Sequence, residues 1–411
     1  MKFNFFTRFA STACGIVIVT TLLSLLAWCF PDIGIDRRGF NNPQALLSVG
    51  GVIVLCWYAL IVTCAFLGEA FGRTLAPKAG RIGTLIDLSD PWCYRLFSII
   101  GAGGAAYALF YVSSVVGVGQ LPDLIMDGQA NQLKMALYDD YSIGLLSLRY
   151  AVILSGGLAI YRLITGLSRG LWEALNLGSL LGVGLLSSRL SVVAAIFIAC
   201  VLYYKNHTVM RIRWGRIIVG GVAIFCLLGF YNMSRNKGYY EKTSSGGFFG
   251  SAASEIISYL GVPFQGALAT GNNFDKVASG VSASNYNDID EGLTTNSAFM
   301  QLTEKWGEWG FLLVAIISAI AAFIVGFLAK QSRNHFALIG CVLLYCFAEI
   351  WRIFLFFEGI VIVLLTVATV VPMSAIFVKI ALRNRSQFKG LTRPVGLRGP
   401  VKRFSSTGAA R

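Results

Sequence analysis

The side chains best suited to chemistry in this chain are basic residues at the edges of long apolar runs. Arg149 lies in LSLRYAV, Arg189 in LSSRLSV, and Arg235 with Lys237 in SRNKGYY. A charge close to a membrane is energetically costly and needs a partner, so each is a candidate site residue. The planar fork of arginine holds phosphate oxygens in bidentate fashion and stays charged at any working pH. These residues together predict a basic, partly desolvated pocket for a diphosphate.

Carboxylates and an amide accompany these cations. Glu349 and Arg352 lie in AEIWRIF, and Asn296 and Glu304 lie in TTNSAFMQLTEKW. A carboxylate beside a bound diphosphate could take a proton from an attacking sugar hydroxyl, a step typically worth about 10²–10⁴-fold in rate. Each of these residues also has an explanation that involves no chemistry. Arg149 could only extend to lipid headgroups, Glu349 and Arg352 could neutralise each other across one helical turn, and Glu304 could belong to a solvated face.

The elements that must position these residues are transmembrane helices. The chain is 56% hydrophobic and only 13% charged, with a mean hydropathy of +0.68, whereas soluble domains average about 25% charged residues. Apolar runs long enough to cross a bilayer predict an all-α, polytopic helical bundle. The net charge of +14 fits Lys and Arg on cytoplasmic loops better than nucleic-acid binding. We expect about ten spans, centred near Val19, Val54, Gly104, Leu154, Leu180, Phe197, Ile224, Ala315, Val342 and Leu365.

Charge distribution predicts that the amino and carboxyl termini both lie in the cytoplasm. Residues 171–204 are too long an apolar run for one span, so we predict a tight external turn at Ser187–Arg189. Within the long polar interval, Phe248–Leu268 suggests a short amphipathic helix in the outer headgroup layer, interrupted by Gly261 and Pro263. The predicted regions are an N-terminal membrane bundle of about seven spans (1–231), one large external, periplasmic loop (232–308), a C-terminal membrane bundle of about three spans (309–379) and a basic cytoplasmic tail (380–411).

The order of these pieces resembles the O-antigen and oligosaccharide repeat-unit polymerases of bacterial envelopes, the Wzy type. The resemblance covers about residues 153–365. It is carried by the SSR turn at Ser187–Arg189, the SRNKG cluster after the next span, the large external loop, and TTNSAFMQLTEKWGEWGFL entering the eighth span.

The resemblance implies a GT-C-like glycosyltransferase at the periplasmic face of the bacterial inner membrane. It would move a growing glycan from undecaprenyl diphosphate to a sugar hydroxyl of the next lipid-linked repeat unit, without a metal or other cofactor. In the family, arginines near the external face hold the donor diphosphate. That role falls here on Arg189 and Arg235, and more loosely on Lys237 and Arg352. The candidate catalytic residues are thus Arg189, Arg235, Glu304 and Glu349, and the candidate substrate-binding residues are Lys237, Arg352, Arg149 and Asn296.

Two alternatives remain from the sequence. An O-antigen ligase-like glycosyltransferase would carry a histidine in the large external loop, but the predicted topology puts His207 and His335 on the inner side. A lipid-linked oligosaccharide flippase or transporter would spread charges through many spans and have short loops. Expected partners are undecaprenyl-diphosphate-linked glycans and membrane lipids, with a chain-length regulator protein as a further candidate and no nucleic acid.

Overall fold

The fold is helical throughout the part of the chain that the computed structural model describes. The single β-bridge found there joins Asp87 to Asn334. The described residues are 9, 11–29, 44–77, 85–127, 131–138, 144–167, 170–187, 190–207, 222, 225–226, 229–230, 247–286 and 297–391.

Fourteen α-helices are described over these ranges. They are α1 (Ala13–Trp28), α2 (Val49–Leu75), α3 (Pro91–Val116), α4 (Leu121–Met126), α5 (Asn131–Tyr138), α6 (Ala151–Thr165), α7 (Leu171–Leu186), α8 (Leu190–Asn206), α9 (Gly247–Asn272), α10 (Phe274–Ala278), α11 (Ala298–Trp306), α12 (Trp309–Phe327), α13 (Ala337–Glu349) and α14 (Gly359–Leu391). Short 3-10 helices occur at Val118–Gln120, Leu145–Tyr150, Ala283–Tyr286, Leu328–Gln331 and Leu355–Phe357.

Five of the described helical segments are long and apolar enough to cross a membrane. They are Val49–Leu75, Pro91–Val116, Leu145–Thr165, Trp309–Gln331 and Gly359–Leu382. Helices α1, α7, α8 and α13 are apolar but shorter, at 10–17 residues. Nine of the ten predicted span centres lie inside these segments and helices; the tenth, Ile224, lies outside the described residues. The chain is therefore an all-helical protein with at least five helices suited to a bilayer.

The helices pack as two groups that α13 joins. One group contains α1, α2, α9, α11 and α12, and the other contains α3, α6, α7 and α8. Helix α13 packs on α1 and α12 of the first group and on α8 of the second, while α14 covers α3, α6 and α13. One hydrophobic core runs through both groups. A residue at the end of α13 is therefore held by both groups.

Helices α2 and α12 approach so closely that their contact requires glycine. A Cβ added to Gly72 would lie 2.1 Å from the carbonyl oxygen of Phe323, and one added to Gly326 would lie 2.2 Å from that of Glu69. Gly68 precedes Gly72 by four residues, which is the GxxxG spacing of close transmembrane helix pairs. The glycines therefore allow the backbones of α2 and α12 to touch.

Helix α9 differs from the predicted short interfacial helix. It runs without interruption through Gly261 and Pro263, and its second half is buried against α1 and α2. Gln265 accepts a hydrogen bond from Trp28 Nε1 at 2.7 Å, and Asn272 accepts one from the Gly50 amide at 2.8 Å. Part of the predicted loop is thus a helix within the bundle, because its small and amide residues fit tightly against α1 and α2.

Two boundaries matter for the site. Helix α7 ends at Leu186 and α8 begins at Leu190, on either side of the predicted turn at Ser187–Arg189. Helix α14 continues as far as Leu391, well past the apolar segment that ends at Leu382. Residues 380–391, the first part of the predicted basic tail (380–411), therefore belong to α14.

Candidate functional site

The structure describes half of the predicted site residues. Arg149, Glu304, Glu349 and Arg352 are described, whereas Arg189, Arg235, Lys237 and Asn296 lie outside the described residues.

Arg149 is completely buried where a 3-10 helix leads into α6. Its side chain donates to the Leu146 carbonyl at 2.8 Å, to the Tyr150 hydroxyl at 2.9 Å and to the Ser187 hydroxyl at 3.4 Å. Its guanidinium also lies 4.5 Å from the centre of the Tyr150 ring. Ser187 is itself fully buried and begins the Ser187–Arg189 turn. Two of the stretches singled out in the sequence, LSLRYAV and LSSRLSV, therefore meet at Arg149.

Glu349 and Arg352 form a buried ion pair at the end of α13. Nε and Nη2 of Arg352 both lie 2.8 Å from Oε2 of Glu349, and the two side chains are only 4% and 7% exposed. Glu349 is the last residue of α13 and Arg352 follows it by three positions, about one helical turn. The mutual neutralisation weighed from the sequence is the arrangement that the structure has.

Tyrosines surround this pair, and sequence reasoning missed them. The Arg352 guanidinium lies 4.7 Å from the centre of the Tyr259 ring of α9, and the hydroxyl of Tyr345, one turn before Glu349 on α13, lies beside the Glu349 carboxylate. Trp351 meets the Tyr259 ring edge-on, with centroids 5.9 Å apart. No spacing in the sequence indicates the Tyr259 contact, because it joins elements about ninety residues apart.

Glu304 lies at the surface, whereas Arg149, Glu349 and Arg352 are buried. It is exposed on α11, and its Oε1 accepts hydrogen bonds from the Ser282 hydroxyl at 2.7 Å and the Ala283 amide at 3.3 Å. It thereby caps the short 3-10 helix Ala283–Tyr286. Gln301, one turn earlier on α11, accepts from the Phe354 amide at 3.0 Å and links this helix to the segment after Arg352. The described contacts of Glu304 are those of a structural cap.

Arg149 and Glu349 stand at similar distances along the chain from two helix ends that lie near each other. Arg162 at the end of α6 bonds the Leu88 carbonyl, and His335 before α13 bonds the Ile86 carbonyl, so both helices have one end at residues 86–88. Arg149 and Glu349 stand 13 and 14 residues farther along these two helical segments, or about 20 Å at 1.5 Å per residue. We call Arg149, Ser187, Glu349 and Arg352 the arginine layer.

A second polar cluster lies at the opposite ends of these helices. Arg162 pairs with Glu173 at 3.3 Å, and its guanidinium lies 4.4 Å from the centre of the Tyr94 ring. Glu173 also accepts from the Gly170 amide at 3.1 Å, which caps α7. We call Ile86, Leu88, Arg162, Glu173 and His335 the His335 end. From the sequence, Arg162 and Glu173 were only charges on the inner side of the membrane.

Both histidines belong to this end of the bundle. The Nδ1–H of His335 donates to the Ile86 carbonyl at 2.8 Å, and its ring stacks on Phe97. Complete burial lowers the pKa of His335 to about 4, so the ring is neutral near pH 7. His207 follows Asn206, whose amide donates to the Ser332 carbonyl at 2.9 Å. Neither histidine lies in the arginine layer.

No family model matches the chain, and no curated protein or solved structure matches it at a significant level.

Proposed function

We propose that this chain is a polysaccharide polymerase. It joins undecaprenyl-diphosphate-linked oligosaccharide repeat units at the periplasmic face of the bacterial inner membrane, in O-antigen, capsule or exopolysaccharide biosynthesis. In this proposal the fold is GT-C-like, with about ten spans and both termini in the cytoplasm. Residues 232–308 lie on the periplasmic side except for the part of α9 that packs within the bundle. The arginine layer then lies toward the outer membrane boundary, where a carrier lipid keeps its phosphates.

One observation carries the proposal. The Arg149 guanidinium is completely buried and touches Ser187, the first residue of the turn that leads to Arg189. Removing a guanidinium from water costs several kcal/mol, so membrane proteins keep such a group mainly where function uses it. Two arginine-bearing stretches that meet in a dry site suit a diphosphate, whose oxygens accept the guanidinium fork and whose leaving charge the arginines would stabilise.

The distribution of buried charge favours a polymerase over the two alternatives. The buried charged residues described are Glu69, Arg149, Arg162, Glu173, Glu349 and Arg352. Five of these six fall into two groups rather than along a path through the bundle: Arg162 and Glu173 belong to the His335 end, and Arg149, Glu349 and Arg352 to the arginine layer. The sixth, Glu69 of α2, pairs with Arg73 and accepts from the Ala13 amide. A ligase-type histidine would be needed near the diphosphate, whereas both histidines lie with the opposite level.

The test is reconstitution of the purified chain in proteoliposomes with lipid-linked repeat units extracted from a source strain that lacks it. The expected product is a ladder of polymer on a gel. Growth of the ladder without transfer to a lipid A acceptor would exclude a ligase, and movement of the lipid across the bilayer with no ladder would replace the proposal by a flippase.

Variants at the arginines sharpen this test. Arg149→Gln and Arg189→Ala are expected to insert normally and to give lost or severely shortened polymer. A lysine at Arg189 should restore little, because an ammonium cannot fork across two phosphate oxygens. Arg37→Ala, in a predicted short external loop, is the control and should leave chain length unchanged. Normal polymer from both Arg149→Gln and Arg189→Ala would remove the basis for the proposal.

A further inference from the structure

The Glu349–Arg352 pair is buried but weakly tied to the scaffold. Both donors of Arg352 converge on a single carboxylate oxygen at 2.8 Å. In the part of the chain that the structure describes, neither side chain bonds a backbone group; their other contacts are the Tyr259 ring and the Tyr345 hydroxyl. A more highly charged anion can therefore displace Glu349 from the Arg352 guanidinium without breaking backbone hydrogen bonds at a helix end.

We propose that Glu349 is the general base of the polymerase and that Arg352 masks it until the donor diphosphate binds. This inference rests on the proposed function and adds a catalytic residue and an order of events to it. With Arg352 on Glu349, the carboxylate is neutralised and cannot take a proton. When the diphosphate accepts the guanidinium, Glu349 becomes a free carboxylate in a site that excludes water, where it is a much stronger base.

The chemical step balances with these groups alone. Glu349 accepts the proton of the acceptor sugar hydroxyl as that oxygen forms a bond to the anomeric carbon of the donor. The bond from the anomeric carbon to the diphosphate oxygen breaks, and its electron pair leaves with undecaprenyl diphosphate. Arg352, now on the diphosphate, stabilises the charge that develops on this leaving group.

Glu304, the other carboxylate considered from the sequence, is the weaker choice. Its Oε1 already accepts two hydrogen bonds, from Ser282 and Ala283, and it is exposed to solvent. A water-exposed carboxylate that caps a short helix gains little basicity from the arrival of a ligand. It is therefore a useful control, since its removal also deletes one negative charge.

If Arg352 masks Glu349, removing the Glu349 carboxylate should strengthen diphosphate binding and slow polymer formation. The probe is geranylgeranyl diphosphate, titrated into the purified chain in detergent and followed by calorimetry or by thermal shift. Glu349→Gln frees Arg352 and is expected to bind the probe about tenfold more tightly, the size of one charge-assisted hydrogen bond. The same variant is expected to form polymer at least about 100-fold more slowly, because the base is gone.

Two control variants separate masking from simple loss of structure or charge. Glu304→Gln should leave probe affinity unchanged. Glu173→Gln breaks the other buried pair, and should lower thermal stability while the folded protein binds the probe as before. A role in structure alone predicts weaker binding by Glu349→Gln, which would overturn masking, and unchanged polymer formation by that variant would overturn the role as base.

A measurement on the wild-type chain covers the case in which Glu349→Gln does not fold. A hydrophobic carbodiimide modifies buried carboxyl groups that are not held in an ion pair, and mass spectrometry locates the product. Geranylgeranyl diphosphate is expected to increase labelling at Glu349 and not at Glu173. Equal labelling with and without the probe would overturn the inference. Absence of polymer from the wild-type chain, in contrast, would count against the proposed function itself.

Discussion

Two buried arginine–glutamate pairs in this molecule are alike in chemistry and opposite in their connections. Arg162 and Glu173 lie on different helices, and each also holds a backbone group, the Leu88 carbonyl and the Gly170 amide. Glu349 and Arg352 lie within one helical turn and, among the described contacts, hold each other and aromatic side chains. The Arg162–Glu173 pair therefore holds three chain segments together. The backbone hydrogen bonds around Glu349 and Arg352, in contrast, do not depend on that pair.

This difference shows why burial of an ion pair does not by itself mark a functional site. Replacing a buried pair by apolar residues is often neutral, but removing one partner leaves an uncompensated charge. At the His335 end that charge would also lose the helix cap and the carbonyl contact that position α6 and α7. In the arginine layer the released partner is a guanidinium beside a tyrosine ring, ready to accept an anionic ligand.

The largest expected effect is on stability at the His335 end. Glu173→Ala leaves Arg162 buried and unpaired and removes the cap of α7, so we expect a loss of about 3–5 kcal/mol in the free energy of unfolding. Thermal denaturation in detergent measures it, with Glu304→Ala as a control that should lose less, about 1 kcal/mol, because it removes an exposed cap of a short helix. If Glu173→Ala cost under about 1 kcal/mol, the pair would not be the structural one of the two.

The next effect is a pH dependence that belongs to the same end. His335, which has Asp87, Asp90 and Arg162 near it, is neutral when folded because burial lowers its pKa to about 4 from 6.5. The unfolded chain binds the proton first, so this contribution to stability is complete above pH 6.5 and is lost as the pH falls from 6.5 toward 4. Its full size is about 3 kcal/mol.

The measurement is melting temperature against pH for the wild type and for His335→Gln, whose amide can still donate to the Ile86 carbonyl. The variant should lose most of the slope between pH 6.5 and 4. Identical slopes in the two proteins would assign the acid sensitivity to the carboxylates and not to His335.

The sequence predicted the features of the fold that depend on the length of apolar runs. It located the break between α7 and α8 from three polar residues, Ser187–Arg189, in a run too long for one helix. It did not predict that α9 passes through Gly261 and Pro263 and is buried. The contacts that bury this helix, such as Trp28 with Gln265, join residues more than two hundred positions apart, and local composition does not record them.

The candidate site was predictable only in part for the same reason. The i, i+3 spacing of Glu349 and Arg352 indicated their pairing as one of two possibilities, because one helical turn brings the two positions together. The Tyr259 ring over Arg352 and the contact of Arg149 with Ser187 are set by packing between elements. Arg162 with Glu173 was missed because two charges on short inner connections look like ordinary loop charges until the helix ends around them are placed.

A smaller effect is expected on diphosphate affinity when Arg352 or Arg162 is replaced by lysine. Arg352→Lys keeps a positive charge beside Glu349 but cannot fork, so the affinity for geranylgeranyl diphosphate should fall about tenfold, or about 1.4 kcal/mol. Arg162→Lys, the matched change at the His335 end, should leave that affinity unchanged and lower stability through the Leu88 contact. Equal losses of affinity in both variants would mean that the His335 end also contributes to anion binding.

The smallest predicted effect concerns the ring that covers Arg352. The Tyr259 ring lies 4.7 Å from the guanidinium, and such a contact is worth about 0.5–2 kcal/mol depending on how dry it is. Tyr259→Leu removes the ring and should weaken binding of the diphosphate probe severalfold, because the guanidinium loses the surface that holds it in the arginine layer. Tyr259→Phe keeps the ring and should retain most of the affinity. If Tyr259→Phe and Tyr259→Leu weaken binding equally, the Tyr259 hydroxyl rather than its ring supports Arg352. The Glu349–Arg352 pair would then be bound to α9 by a hydrogen bond, and it would differ less from the Arg162–Glu173 pair.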